Sequence, residues 1–480
     1  MMGHDEIRRR QRVAARVALY SSLSLTTVAA VVTLPHLERR MAPDNPEWTH
    51  RDYRNEPAVT QLRELVRIDT TAATGREIDA ARYLAAQLRD MGLEPVVEEL
   101  MEGKANLWAV LEGERPEALV LHNHLDTDNV PDPSVWRHDP FAGAIEGPWI
   151  YGRGVFDMKS VAVAQLEAVR AVQERVRETG RRPPRSLVFL ATSSEETGSE
   201  LGARWIVEQH PDLVSRFWAL LTEGGVIEVA GNGKIKYFGV SFAQKWFVRL
   251  TACSASRGQL EQLQRALQEH ESPRRVLTPE VREFLPTYGP SREEPLLRER
   301  ASVPESGFYG SWTFRFLPSY LKALYRNEVH PLQVVADANT GGYRMDIVLH
   351  LLPGEDLDQV RGELLPEWMI HGVRIVDQDA GPAAPGSPLD HPVFQGLGNV
   401  VRRRYETDAV GPYFLTIYDN DARFFRAAGV PSYGFSPFIA FTPDSFTVGG
   451  VDERITLGAF VEGVDLYREV VLSLLDRDAR

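Results

Sequence analysis

Acids and histidines gather at four places in this 480-residue chain, each directly after an apolar run. Leu119-Val120-Leu121 leads into His122-Asn123-His124-Leu125-Asp126, and Ile150-Tyr151-Gly152-Arg153-Gly154 leads to Asp157. Leu187 to Ala191 leads to Glu195-Glu196, and Phe217 to Leu221 to Glu223-Gly224-Gly225. Acids converging without a cation repel one another, and the usual resolution is a metal. In an extended segment His124 and Asp126 share one face, so Asp126 can orient and polarise the imidazole. Asp157 has two oxygens and can bridge two cations. The side chains of adjacent Glu195 and Glu196 diverge, so one can ligate metal while the other faces water as general base. Glu223, followed by two glycines that allow close backbone approach, completes a mixed nitrogen and oxygen donor set suited to zinc, with cobalt or manganese as alternatives.

Convergence of such distant segments requires a particular framework. Short apolar runs at Leu107–Leu111, Leu119–Leu121, Leu187–Ala191 and Phe217–Leu221 are separated by helical patterns near Val161–Val176 and Leu201–Val207. Helical spacing also marks Val59 to Val66 and Ile78 to Leu88, with Gly92 as a stop. Strand and helix in alternation predict an α/β fold with a doubly wound, mostly parallel sheet. In such sheets the carboxyl ends of the strands form the ligand crevice, which is where all four motifs fall.

Composition narrows the chemistry further. With 54 Lys plus Arg against 67 Asp plus Glu the net charge is -13, which gives no support to nucleic-acid binding. A lone cysteine, Cys253, excludes an internal disulfide. Near the start, Arg8, Arg9, Arg10, Arg12 and Arg16 precede the uncharged stretch Val17 to Leu34. That pattern, residues 1–35, reads as an export signal or membrane anchor, with 36–56 as a polar linker. The body is expected on the non-cytoplasmic side, periplasmic, extracellular or membrane-anchored.

From about Pro57 onward the chain resembles the zinc aminoacylase and carboxypeptidase family that includes glutamate carboxypeptidase, aminoacylase and carboxypeptidase S. The likeness rests on His124-Leu125-Asp126, on Trp136 with Asp139-Pro140-Phe141, and on Tyr151-Gly152-Arg153-Gly154 with Asp157-Met158-Lys159. It continues through Ser194-Glu195-Glu196-Thr197-Gly198, Thr222-Glu223-Gly224-Gly225, Asn420-Asp421-Ala422-Arg423 and Asp452-Glu453-Arg454-Ile455. The resemblance implies that His124 and Glu223 hold one zinc, that Glu196 holds part of another, and that Asp157 bridges them. It gives Asp126 a supporting role and Glu195 that of general base. A smaller α+β lid or dimerisation domain is then expected at 241–370, inserted between catalytic segments 57–240 and 371–480, with pairing of two chains through the lid. The long insert between Glu269 and Arg326 looks most like the carboxypeptidase S branch.

Three departures stand against that pattern. Gly449 occupies the position where the family usually donates a histidine to the second zinc, and Asp444 is the nearby acid best placed by sequence to substitute. The lid's histidine element reads Thr251-Ala252-Cys253-Ser254-Ala255-Ser256-Arg257, and the arginine that contacts the substrate carboxylate is His350. Two functions therefore compete: a metal-dependent hydrolase of a peptide or N-acyl amino acid amide bond, and a catalytically impaired relative acting as a binding or assembly module. The first keeps a base and a ligand set. One tight metal and a second, weaker one are expected.

Overall fold

The computed structural model describes residues 51–73, 75–229, 234–270, 272, 274–291, 319–338, 340–377, 381–416, 418–439 and 447–476. Nearly all of them fall in one compact unit, Asp52–Glu228 with Ile235–Arg480. The segment Val17–Leu34, its arginines, most of the linker, part of the long insert and Asp444 lie outside the described residues. Among the described residues no helix is long and apolar enough to cross a membrane.

The strands in chain order are β1 (Val96–Met101), β2 (Lys104–Leu111), β3 (Arg115–His124), β4 (Ala144–Glu146), β5 (Trp149–Tyr151), β6 (Arg185–Thr192), β7 (Phe217–Thr222) and β8 (Val226–Val229). They continue as β9 (Ile235–Gln244), β10 (Trp246–Ser254), β11 (Glu328–Ala336), β12 (Tyr343–Leu351), β13 (Arg374–Asp377), β14 (Val410–Leu415), β15 (Ser432–Gly434) and β16 (Arg454–Thr456). A large sheet has the order β1-β2-β6-β3-β7-β15-β9-β14. Its centre is parallel, from β6 through β3 and β7 to β15, and β9 pairs with β14 in parallel as well. The β1, β2 margin is antiparallel.

The central strands read as unbroken apolar runs because both sheet faces are covered. Ala118 and Val120 of β3, Val188 and Leu190 of β6 and Leu220 of β7 pack with Ala203 and Ile206 of the helix Ala203–Gln209 and with Phe424 and Phe425 of Ala422–Ala427. Across the sheet lie the helices Lys159–Thr179 and Leu457–Asp476, which pack on each other. Lys159–Thr179 stops at Gly180, whose φ of 65° is the left-handed conformation that releases a helix end.

A second, antiparallel sheet has the order β11-β12-β10-β13. Its apolar face, including Val248, Leu250, Met345 and Ile347, is covered by Leu260, Leu263 and Leu267 of the helix Arg257–Glu269 and by Val360 and Leu364 of Leu357–Leu364. Ser241–Gln244, placed by sequence in the lid, continue β9 of the large sheet, where Ser241 pairs with Tyr413; β13 extends the second sheet beyond Ile370. The register with β14 carries β9 through to Gln244 before the chain turns at Lys245.

Candidate metal centre

His124 is the last residue of β3, and its imidazole is buried. Nδ1 lies 3.0 Å from the backbone carbonyl oxygen of Asp126. A carbonyl only accepts, so Nδ1 carries the proton and donates it, which leaves Nε2 as the ligating nitrogen of the neutral ring. That nitrogen is 3.2 Å from Asp157 Oδ1 and 3.7 Å from Glu223 Oε1.

Asp126 serves His124 mainly through its backbone carbonyl, since its carboxylate is 3.5 Å from Nδ1. The carboxylate instead accepts two backbone N–H groups, that of Glu195 at Oδ1 and that of Glu196 at Oδ2, each at 3.0 Å. The turn Glu195–Thr197 after β6 is thereby fixed to the end of β3, and Ser194 enters it at a φ of 60°. Both glutamates reach the centre. His124, Asp157 and Glu196 form one group whose ligand atoms lie within 4.8 Å of one another; His124, Glu195 and Glu223 form another.

Asp157 sits in a loop organised by a residue that sequence reasoning passed over. Glu453 is fully buried and accepts N–H bonds from Gly154 at 3.0 Å, Phe156 at 2.9 Å and Asp157 at 3.1 Å, with the Arg153 guanidinium donating at 2.8 Å. Glu223 is placed from the other side: its backbone carbonyl accepts from Asn420 Nδ2 at 3.0 Å. Gly225 after it has a φ of 86°, and a Cβ there would stand 2.3 Å from the Gly239 carbonyl oxygen, so both the conformation and the close approach require glycine. Beneath the centre, His122 bonds Thr222 and Thr192 at 2.8 and 2.9 Å, and Thr192 donates to Asp421 at 3.0 Å. His122 thus belongs to a buried polar support.

The electrostatics fit a cation. Burial, reinforced by Asp157, pushes Glu196 up to about 8 and holds Glu223 well above the carboxylate range. Burial and the neighbouring acids raise Glu195 in the same way, against the opposing influence of His124. Burial works against a charge on His124, yet its contacts with Asp126 and Asp157 raise it well above the usual histidine value. Protons are compensating mutual repulsion among these groups, a task a divalent ion would take over.

His350 belongs to different surroundings. It lies opposite Glu328 in the second sheet, with ring centroids 3.9 Å from Phe247 and 4.2 Å from His330. Its described contacts all lie around that sheet, and burial with the nearby His330 and Lys245 pushes it down to about 2, so it carries no positive charge. Glu328, His330 and His350 also cluster closely enough for a metal, but Lys245 donates to Glu328 at 3.0 Å and Arg326 at 3.3 Å, which already compensates that carboxylate.

The sequence from 120 to 473 matches the model of peptidase family M20/M25/M40. The chain belongs to this family. Pig aminoacylase-1 is 26% identical over 436 residues, covering 87% of this chain and 95% of the relative. The fold is that of an M20 family metallo-carboxypeptidase from Sulfolobus solfataricus, at a TM-score of 0.66 and 15% identity over 88% of this chain and 99% of that one. Human carnosine dipeptidase 1 is equally similar in fold, at 0.66 and 14% identity over 89% and 99% of the two chains. These relatives support the family without singling out the carboxypeptidase S branch.

Proposed function

We propose that this family member hydrolyses the amide bond of a small N-acyl amino acid or short peptide at the centre between His124 and Glu223. The observation that carries the reading is Glu195, brought within 4.8 Å of His124 and Glu223 by a turn whose backbone is tied to Asp126. His124, Asp157, Glu196 and Glu223 would hold the metal. A divalent cation bound there supplies the positive charge that polarises the scissile carbonyl and activates water; zinc suits the mixed donor set. Glu195 takes the proton from the attacking water and returns it to the leaving nitrogen.

The impaired-relative alternative is not favoured by the family match and its hydrolase relatives. An N-acyl amino acid substrate is supported by the near full-length match to aminoacylase-1. The proposal also places the body outside the cytoplasm, on the strength of the arginines preceding Val17–Leu34. Full-length protein assayed against a mixed set of N-acyl amino acids and dipeptides should release free amino acid, should lose that activity to a chelator, and should recover it with a divalent metal. No turnover of any member in the metal-loaded protein would refute the reading.

A further inference from the structure

The family's second cation position normally includes an imidazole from the segment where Gly449 stands. Two features disfavour a side chain there. Gly449 has a φ of 68°, and a Cβ built on it would lie 2.7 Å from Asp128 Oδ2. The space in which a histidine at 449 would begin is therefore taken by a carboxylate, and that carboxylate comes from the segment that carries His124.

Asp128 is exposed, and its carboxylate makes no hydrogen bond or ion pair among the described residues. It nevertheless lies in the field of the centre: partial burial of the group first, then Asp157 and Asp126, disfavour its charge, Arg153 and His124 favour it, and it disfavours the charge on Glu196 in turn. A carboxylate that has no hydrogen-bond partner among the described residues and feels the charges of Asp157 and Glu196 is unfavourable until a cation joins them. Because no described residue holds it by a hydrogen bond, turning toward such a cation costs little more than its own rotamer freedom.

We propose that Asp128 replaces the histidine missing at 449 and completes, with Asp157 and Glu196, an all-oxygen second cation position. The proposal rests on the reading of the centre as a metal site given above. It supplies the third protein ligand that a position held by Asp157 and Glu196 alone would lack. Exchange of imidazole for carboxylate also hardens the donor set, so that position should favour manganese relative to zinc more than the His124 and Glu223 position does.

The test is metal uptake. Full-length protein stripped by a chelator is titrated with Mn²⁺ and, separately, with Zn²⁺, following heat by calorimetry and free Mn²⁺ by electron paramagnetic resonance. Native protein should take up two ions per chain. Asp128→Ala and Asp128→Asn should keep the tighter one and bind the second at least about tenfold more weakly. Native second-ion affinity in both variants would overturn the assignment, as would uptake of only one ion by native protein, and either leaves the hydrolase reading standing if the remaining metal supports turnover. Native protein that takes up no metal and shows no hydrolysis sinks the hydrolase reading, and the Asp128 assignment with it.

Discussion

At the scale of single residues, the proposed roles separate ligation from proton transfer, and the two should respond differently to substitution. Glu195→Gln should lower kcat by about 10²- to 10⁴-fold, while metal content measured by elemental analysis stays native. Loss of metal in that variant would make Glu195 a ligand. A second expectation concerns pH. His124 holds its proton to higher pH than usual because Asp126 and Asp157 favour the charged ring, and the cation must displace that proton. Each proton displaced makes affinity rise about tenfold per unit of pH below that raised value. Calorimetric titration at pH 6 and pH 8 should therefore show tighter binding at pH 8, and equal affinity would mean that His124 is outside the coordination sphere.

At the scale of elements, strand ends and the segments that brace them behave as pairs. Glu453→Ala would leave Arg153, which is only 3% exposed, without its carboxylate and would free three backbone N–H groups of the loop carrying Asp157. The expected loss is about 3–5 kcal/mol in denaturant unfolding, together with reduced metal retention. Unchanged stability would show that the loop is held by other contacts. Gly449→His should cost about 1–2 kcal/mol for its left-handed backbone and gain no tightly held metal.

The strands that lead to His124, Glu195 and Glu223 were legible because central parallel strands write themselves as apolar runs ending in polar residues. Glu453 was not, although it lay in a recognised motif: a buried acid whose role is to accept backbone N–H bonds leaves no spacing signal. Asp126 was read as a partner of the imidazole, which it is, but its carboxylate also anchors a turn some seventy residues away in sequence. Asp128 carries no signal by itself, since a single exposed acid is ordinary. Only its meeting with Gly449 in space distinguishes it.

On the scale of the whole molecule, the second sheet ends in β11 and β13, and both edges carry exposed apolar side chains: Leu332 and Val335 on one, Val376 on the other. Exposed sheet edges of this kind invite pairing. Light scattering on the purified protein should give a dimer, and Leu332→Glu should shift it toward monomer; a native monomer at high micromolar concentration would rule out pairing through this edge. Fractionation tests the N-terminal segment. Full-length protein should be found with membranes or exported, and retention of all of it in the cytosol would dispose of the export reading.

The loop of Asp157 is held by a glutamate some three hundred positions later, and Glu223 by an asparagine nearly two hundred positions later. A ribosome therefore releases Asp157 and Glu223 long before it releases the residues that brace them. The proposed coordination sphere is therefore expected to be completed only when the C-terminal segment docks, wherever in the cell that happens. The ion pool of that compartment then has as much say in which metal is loaded as the donor atoms do.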